Sequence, residues 1–319
     1  QLLGRHTPDV EREMAQQIVW DIRLPRTVGA LAAGALLGLA GALAQGLFRN
    51  PLADPYLLGS ASGASLGVAL AMALLGVSPL ATEWLSLLGL SGAAFAGAAL
   101  AVLLTLLLAQ GVQHTLRLLL AGVVVAVVLG AMTSLVLLLS PDIMQAMQSF
   151  MLGSTSFLAW PACALMAAVT LFCLLAAWAM SPVLDALALG ESTAQSLGLR
   201  LPALRAALIG VLALATGTAV AQTGLIAFVG LAAPHLVRAM VRVPYRLMVG
   251  MASAVGAVLL GAADLLARFK VKELKGTPAM FVVGSDGRLR NKRKDALSWR
   301  NAESRGAAAT LGWFRTLKR

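Results

Sequence analysis

Side chains that could carry acid–base or metal chemistry are scarce in this sequence. The long apolar runs contain one carboxylate, Asp264, which stands near the end of its run. The sequence shows no paired carboxylates, no His/Cys/Asp/Glu cluster with metal-ligand spacing and no nucleophile–base arrangement. His114 and His235 lie in or beside predicted loops, and we interpret them as surface or capping residues. We therefore expect a protein that is not an enzyme and holds no metal.

The elements that carry these few residues are long apolar segments. The chain has 319 residues, of which 59% are hydrophobic and 12% are charged, against about a quarter charged residues in a soluble domain. A membrane helix needs about 18 or more apolar residues. Runs of about this length can be read at 27–48, 59–77, 84–109, 118–139, 161–180, 203–221 and 246–267, with a shorter one at 223–237. We predict an all-α, multi-pass membrane protein.

Arginine positions predict which loops face the cytoplasm, because short loops rich in Arg and Lys remain inside. The loops that contain arginines are 49–58, 110–117, 181–203 and 238–246, and they alternate with the arginine-free loops 78–84 and 140–160. The first run then begins outside, so we expect another span upstream of Gln1. Residues 1–20 are predicted to form an amphipathic lead-in on the outer surface.

Net charge is concentrated at the C-terminus rather than spread over the chain. Residues 268–319 contain 14 Arg/Lys and 4 Asp/Glu, a net charge of +10, whereas residues 1–267 contain 11 and 10, a net charge of +1. An almost neutral membrane body excludes a nucleic-acid-binding function for the chain as a whole.

Small residues recur at four-residue spacing within the runs, a pattern that lets helix backbones approach closely in lipid. The positions are Gly34 and Gly38, Gly63 and Gly67, and Ser253, Ala257 and Gly261. We interpret them as internal packing contacts rather than as a dedicated dimer seam. Cys163 and Cys173 are ten residues apart on one predicted helix, about 15 Å along its axis and too far for a disulfide, so they too are interpreted as packing residues.

A membrane carrier with this composition has no visible energy source of its own. The sequence lacks a G-x-x-x-x-G-K-[ST] phosphate loop, so we expect neither ATP hydrolysis nor a bound cofactor in this chain. Ion-coupled carriers need ionisable groups that face a cavity within the membrane. An external motor would therefore be required. A secondary transporter or channel that works alone is the alternative, and transport without nucleotide would favour it.

The predicted cytoplasmic loop 182–205 is too long for a minimal turn. Gly190 and Gly198 bracket a helix-prone stretch that has Glu191 in its first turn. A short helix parallel to the membrane would present Leu187, Leu189 and Leu197 to a groove on a soluble partner. An ordinary solvated linker is the alternative.

These same residues resemble a known family. Leu187-Ala-Leu-Gly-Glu191 followed by Ala194-Gln-Ser-Leu-Gly198 is similar to the coupling segment of the iron-chelate, haem and vitamin B12 permeases of ABC importers, the FecCD/BtuC-like family. Further stretches that resemble this family, in order along residues 20–268, are Arg23-Leu-Pro-Arg26, 50–55 with 59–63, 117–122, 224–235 and 260–268.

The resemblance implies an architecture and a set of partners. A family permease has ten helices, of which about eight are recognisable here, with residues 21–268 as the transmembrane domain. It forms a homodimer with the path along the two-fold axis, in contact with membrane lipid in the bacterial inner membrane. ABC ATPase subunits bind ATP inside, and a periplasmic binding protein delivers a ferric siderophore, haem or cobalamin outside.

The resemblance also implies three groups of functional residues. Docking of the binding protein would use Arg23, Arg26 and Arg268, for which anchoring at the membrane interface is the alternative. Coupling to the ATPase would use Leu187, Leu189, Gly190, Glu191, Ala194, Leu197 and Gly198, within the coupling segment, residues 184–205. The gate and the lower path would involve Asn50, Pro51, Asp54, Gly59, Ser60, Ser62, Gly63, Thr115 and Leu116.

Residues 269–319 depart from this pattern, which implies a tenth helix there. The mildly apolar stretch 276–284 contains Pro278, and its nine residues would span about 14 Å as a helix, under half of a bilayer core. The basic residues 285–319 cannot bury enough apolar surface to offset their ordering entropy. We expect a disordered or loosely bound tail with no role in transport. A truncated chain that does not transport is a third hypothesis.

Overall fold

A computed structural model describes residues 16–76, 84–110, 115–156, 158–196 and 200–275, together with the short pieces 282–283 and 289–290. The chain divides into two compact units after Asp264. The first unit is a bundle of helices. The second contains the C-terminal part of the last helix and two strands, Val282–Val283 (β1) and Leu289–Arg290 (β2), which pair antiparallel.

The described residues form helices over nearly all of the first unit. A π-helical turn, Ile18–Arg23, leads into the first helix, and a 3₁₀ turn, Pro141–Ile143, precedes the fifth. The α-helices are α1 (Leu24–Leu47), α2 (Ser60–Leu75), α3 (Trp84–Leu108), α4 (Thr115–Leu139), α5 (Met144–Leu152), α6 (Trp160–Ala179), α7 (Ser181–Ala188), α8 (Glu191–Ser196), α9 (Leu201–Thr223), α10 (Val229–Met240) and α11 (Tyr245–Lys275).

Six of the described helical segments are long and apolar enough to cross a membrane. They are Ile18–Leu47, Gly89–Leu108, Thr115–Leu139, Trp160–Ala179, Leu201–Thr223 and Tyr245–Arg268. Each coincides with one of the predicted runs, and the predicted run 59–77 forms the shorter helix α2. The prediction of an all-α, multi-pass membrane protein is confirmed.

Helix α1 is the centre of the bundle. It begins with Pro25 in its first turn, a position where the missing backbone N–H costs no intrahelical hydrogen bond. Its side chains, mostly Leu, Ala and Gly, are buried along most of the helix, and α6, α9 and α10 pack around it. Because α1 is apolar on all sides, burial within the bundle is the environment that suits it.

Glycines bring α1 into backbone contact with α11. A Cβ atom added at Gly34 would overlap the carbonyl oxygen of Gly256, and one added at Gly38 would overlap that of Ala252. Helices α2 and α3 approach each other in the same way, at Gly63 with Gly97 and at Gly67 with Ala93. The small residues therefore serve packing within the chain, as the sequence predicted. Both cysteines are buried and unpaired, also as predicted.

The segment 140–160, expected to be a simple outer loop, folds back against the bundle instead. It contains the 3₁₀ turn and α5, whose end meets the break between α9 and α10. The backbone N–H of Ser154 donates to the carbonyl of Thr223 at 2.7 Å, and that of Leu225 donates to the carbonyl of Phe150 at 3.2 Å. A broken helix leaves backbone groups that must find partners within the protein at membrane depth, and α5 supplies them.

Two further expectations differ from the structure or lie beyond it. Asp264 does not stand at a helix end, because α11 continues for eleven residues to Lys275. Residues 1–15 of the expected lead-in and most of the tail 285–319 lie outside the described residues. Of the lead-in, Trp20 is exposed, and its ring centroid lies 5.5 Å from that of Trp160 at the start of α6.

Candidate docking, coupling and path sites

The docking site predicted at the outer end contains a buried ion pair. Nε and one terminal nitrogen of Arg26, at the start of α1, each lie 2.8 Å from Oδ1 of Asp264 on α11. The hydroxyl of Thr155 donates to the same oxygen at 2.5 Å. Asp264 is only 5% exposed. We call Arg26, Thr155 and Asp264 the outer clasp, since together they join three separate segments of the chain.

The outer clasp changes the interpretation of the predicted docking arginines. Arg23 ends the π-helical turn and is exposed, as a docking residue must be. Arg26 is instead engaged by Asp264, with a quarter of its side chain exposed. Arg268 lies in the second unit, on the part of α11 beyond Asp264. The contribution of Thr155 was not predicted; an isolated carboxylate in an apolar run was the signal that a partner had to exist.

The coupling segment folds as two short helices around a glycine. Gly190 has a φ of +117° between α7 and α8, a conformation that side-chain-bearing residues rarely adopt. Leu187 and Ala194 are 0% exposed, whereas Leu189 beside the turn is 72% exposed. Leu187 therefore differs from the expectation that it faces a partner: it joins the core of this chain and fixes the segment, which leaves Leu189 as its outward apolar contact.

Of the other predicted coupling residues, the structure describes some and not others. Glu191 is the first residue of α8, as expected from the sequence. Leu197 and Gly198 lie outside the described residues, and Arg200 and Leu201 resume the chain at the start of α9.

A network of contacts fixes the coupling segment to the start of α11. Oδ1 of Asp185, on α7, accepts a hydrogen bond of 3.0 Å from the backbone N–H of Tyr245. Gly46, near the end of α1, faces the Tyr245 ring and Leu184 so closely that a Cβ atom there would lie 2.8 Å from the ring. Nearby, the guanidinium of Arg246 stacks 4.2 Å from the Trp178 ring centroid on α6. These residues were not among the predicted site residues.

The predicted path segment 50–59 is a compact turn stabilised by its own side chains. Oδ1 of Asn50 accepts from the backbone N–H of Leu52 at 2.9 Å, and Oδ1 of Asp54 accepts from that of Tyr56 at 2.7 Å. The Tyr56 hydroxyl donates to the carbonyl of Ile226 at 3.1 Å, which joins the turn to the break before α10. Pro51 is exposed within this turn.

Burial raises the pKa of the Asp54 carboxyl, and the hydrogen bond from Tyr56 opposes this in part. The carboxyl group thus has a larger share of its neutral form than an exposed aspartate would have at the same pH.

The remaining path residues lie where the turn meets α4. Gly59 has a φ of +79° and precedes α2, whose first residue, Ser60, is fully buried. Gly59 faces Val125 of α4, and the Thr105 hydroxyl donates to the Leu58 carbonyl at 3.0 Å. Ser62 is half-buried, and Gly63 meets α3 as described above.

Thr115 and Leu116, expected in the loop before α4, are instead its first two residues, and Leu116 is largely exposed. In the described part of the chain, no three His, Cys, Asp or Glu residues lie together in an arrangement that would hold a metal ion.

This fold and these sites define a multi-pass transport permease. The chain belongs to the FecCD transport family, whose model matches residues 3–284. It is 40% identical over 274 residues to the ferric enterobactin transport system permease protein FepD of Escherichia coli K12, a match that covers 84% of this chain and 79% of FepD. It is 39% identical over 252 residues to the vitamin B12 import system permease protein BtuC of Salmonella paratyphi A, a match that covers 78% of this chain and 75% of BtuC.

An archaeal relative and two solved structures extend the comparison. The cobalamin import system permease protein BtuC of Halobacterium salinarum is 36% identical over 265 residues, covering 82% of this chain and 69% of that one. A solved structure described as an inward-facing conformation of a metal-chelate type ABC transporter has a TM-score of 0.74 at 28% identity, covering 85% and 83%. The structure of PsaBC from Streptococcus pneumoniae shares the fold. Its TM-score is 0.55 at 17% identity, and the match covers 83% of this chain and 99% of that one.

Proposed function

We propose that this chain is the permease subunit of a bacterial ABC importer that moves a metal chelate from a periplasmic binding protein into the cytoplasm. Two copies form the path in the inner membrane, and separate ABC ATPase subunits bind ATP and supply the energy. The chelate belongs to the class of ferric siderophores, haem and cobalamin. Relatives of about 40% identity are named as permeases for ferric enterobactin and vitamin B12, which supports this substrate class.

The coupling segment is the observation that carries this proposal. Its inner leucines are buried in the chain's own core, while Leu189 is exposed beside a glycine turn at the predicted cytoplasmic end. A short helical element with an exposed leucine beside a buried one is suited to a groove on a soluble partner. An ordinary linker has no reason to be anchored in this way.

The ionisable groups favour an external motor over a proton-coupled carrier that works alone. Asp264, the buried carboxylate in the apolar runs, is paired with Arg26 and accepts a hydrogen bond from Thr155. A carboxylate engaged by an arginine and a hydroxyl from two other segments joins parts of the chain, which suits a structural role better than a proton relay.

The proposal assigns roles to the remaining predicted residues. Arg23 docks acidic residues of the binding protein, with Arg268 as a further contact and Arg26 acting from within the outer clasp. The turn 50–59, with Ser60, Ser62 and Gly63 on α2, shapes the lower path, and Thr115 and Leu116 lie at the gate. Glu191, Leu197 and Gly198 take part in coupling to the ATPase together with Leu189.

The central test is Leu189→Asp, measured by co-purification of the permease with its co-expressed ABC ATPase subunit. A charge at an exposed apolar contact should abolish the complex, because its desolvation is not compensated, while the permease alone keeps its elution volume and melting temperature. Leu152→Asp, at the largely exposed end of α5, is the matched control and should leave the complex intact.

A complex that survives Leu189→Asp in a folded permease would return the coupling segment to the status of a linker. Uptake of labelled chelate by proteoliposomes that contain no ATPase would instead support the stand-alone transporter.

A further inference from the structure

Helix α11 is fastened at its first residue and again at Asp264, near the end of its membrane-spanning part, to segments that have different proposed partners. Its first residue, Tyr245, donates its backbone N–H to Asp185 of the coupling segment. The first N–H groups of a helix have no intrahelical partner, so Asp185 acts as an N-cap supplied by another helix. A carboxylate at a helix N-terminus is also favoured by the helix dipole.

Near the outer end of its membrane-spanning part, α11 carries Asp264 of the outer clasp. Between Tyr245 and Asp264 lie 19 residue steps, or about 28 Å of helix, close to the thickness of a bilayer core. The outer clasp holds this end by two contacts from Arg26 and one from Thr155. Arg26 is only three residues after the exposed Arg23, which is the proposed docking residue. Because Asp264 of α11 pairs with Arg26, α11 is connected to the proposed docking surface.

Close packing prevents α11 from sliding past its neighbour. The overlaps that a Cβ would meet at Gly34 and Gly38 show α1 and α11 in backbone contact along the middle of the pair. Packed interiors transmit displacement because they deform little. Gly46 adds a further contact at the inner end, where α1 meets both Tyr245 and Leu184 of α7.

We propose that Asp185 is a positioning residue for energy coupling, and that it makes the α1–α11 pair the rigid connection between the coupling segment and the outer docking surface. A displacement of α7 by the ATPase moves the N-terminus of α11 through Asp185, and the outer clasp receives that displacement at Asp264. This inference rests on the proposed function, since it needs an ATPase on one side and a binding protein on the other.

The test compares ATPase rates with and without the periplasmic binding protein in proteoliposomes that contain the permease in complex with its ABC ATPase subunit. The readout is the ratio of the stimulated to the unstimulated rate, which a purely structural role does not predict to change. The variants are Asp185→Ala, Asp185→Asn, Thr155→Val and the double variant Asp185→Ala with Thr155→Val. Asp142→Ala, in the exposed 3₁₀ turn, is the matched control.

Asp185→Ala should lower the ratio about fivefold or more, the usual size of a coupling free energy between sites. Asp185→Asn keeps an acceptor oxygen and should retain most of the stimulation. Thr155→Val weakens the other fastening and should also lower the ratio. The double variant should be no worse than the stronger single one, because both changes interrupt the same connection, whereas their effects on melting temperature should add.

The inference would be overturned if Asp185→Ala had the same ratio of stimulated to unstimulated ATPase rate as wild type. It would also be overturned if the fold-losses in this ratio from the two single variants multiplied in the double variant. If Asp185→Ala does not fold, Thr155→Val alone decides, and an unchanged ratio in that variant overturns it equally. A wild-type permease that does not bind the ATPase at all would overturn the proposed function. A working wild-type complex with an unresponsive Asp185→Ala overturns only this inference.

Discussion

Two polar side chains in this protein, those of Asp264 and Tyr56, are held by partners that come from distant parts of the chain. Asp264 is satisfied by residues 238 and 109 positions away, and Tyr56 reaches a carbonyl 170 positions away. In a membrane protein such groups are costly when unpaired, because lipid offers no hydrogen-bonding alternative. Their positions therefore mark where the tertiary structure is fixed by specific contacts.

Asp54 leads to a prediction about pH. Its pKa in the folded protein is raised by burial above its ordinary value of 3.8, so the native state holds this proton more tightly than the unfolded state does. Stability from this group is fully present below the unfolded pKa and is lost as pH rises through the folded pKa. Asp54→Asn keeps the acceptor for Tyr56 without the buried charge, and should have an equal or higher melting temperature at pH 7.

The check is a series of thermal unfolding curves in detergent between pH 7 and pH 4. The advantage of Asp54→Asn over wild type should shrink as the pH falls and Asp54 becomes protonated. An advantage that grows toward low pH would contradict the raised pKa.

At the scale of elements, the proposed coupling depends on the contact between α1 and α11. The backbones of these two long helices touch at this contact. Backbones come together there because Gly34, Gly38 and Gly256 have no side chains. Association of helices in lipid depends on such packing, since the surrounding chains are as apolar as leucine. A single methyl group at this contact therefore matters more than its small volume suggests.

Gly38→Ala should destabilise the permease by about 1–3 kcal/mol, the usual cost of overpacking, because the new methyl group meets the backbone carbonyl of Ala252. Gly250→Ala is the matched control: it lies on α11, its Cβ would meet no atom within 4 Å, and alanine is favoured over glycine in a helix by about 0.5–1 kcal/mol. Unfolding by denaturing detergent measures both. Equal free energies of unfolding for the two variants would show that α1 and α11 are not in backbone contact.

At the scale of the whole first unit, two sets of side-chain contacts join segments that the arginines place on the same side of the membrane. Asp185 of loop 181–203 contacts Tyr245 of loop 238–246, both predicted inside from arginines. Thr155 of loop 140–160 donates to Asp264, which also pairs with Arg26, at the end predicted outside. The assignment of the other loops to sides, which rests on charge alone, stays a prediction.

Arg23→Glu should weaken binding of the periplasmic binding protein about fivefold at low salt, with a smaller effect at high ionic strength, because exposed pairs are weak and screened. Arg23 is the informative position, since Arg26→Glu would also break the outer clasp. Surface plasmon resonance on permease in nanodiscs measures this affinity. Arg242→Glu, exposed at the predicted cytoplasmic end, is the control and should bind normally; an unchanged affinity in Arg23→Glu would leave that residue as a membrane anchor.

The sequence by itself determined the helices, their order and the family. Apolar runs of membrane length can form little other than spanning helices, since each must satisfy its own backbone hydrogen bonds. The predicted runs accordingly match the described helices, with the largest differences at the start of α10 and at the end of α11, which extends to Lys275. The small-residue pattern also predicted internal packing correctly, because close approach depends only on which residues lack bulk.

Only the tertiary structure decided which predicted residues face outward and which are taken up inside the chain. Leu187 and Leu189 are two residues apart and chemically identical, yet one is fully buried and the other is 72% exposed, because α7 packs one face against α1. The sequence predicted Arg26 as a docking arginine, and only the tertiary structure shows that α11 brings Asp264 beside it. Asp185 has no distinguishing sequence pattern at all. Its role arises from a contact with a residue 60 positions away, which spacing along the chain does not reveal.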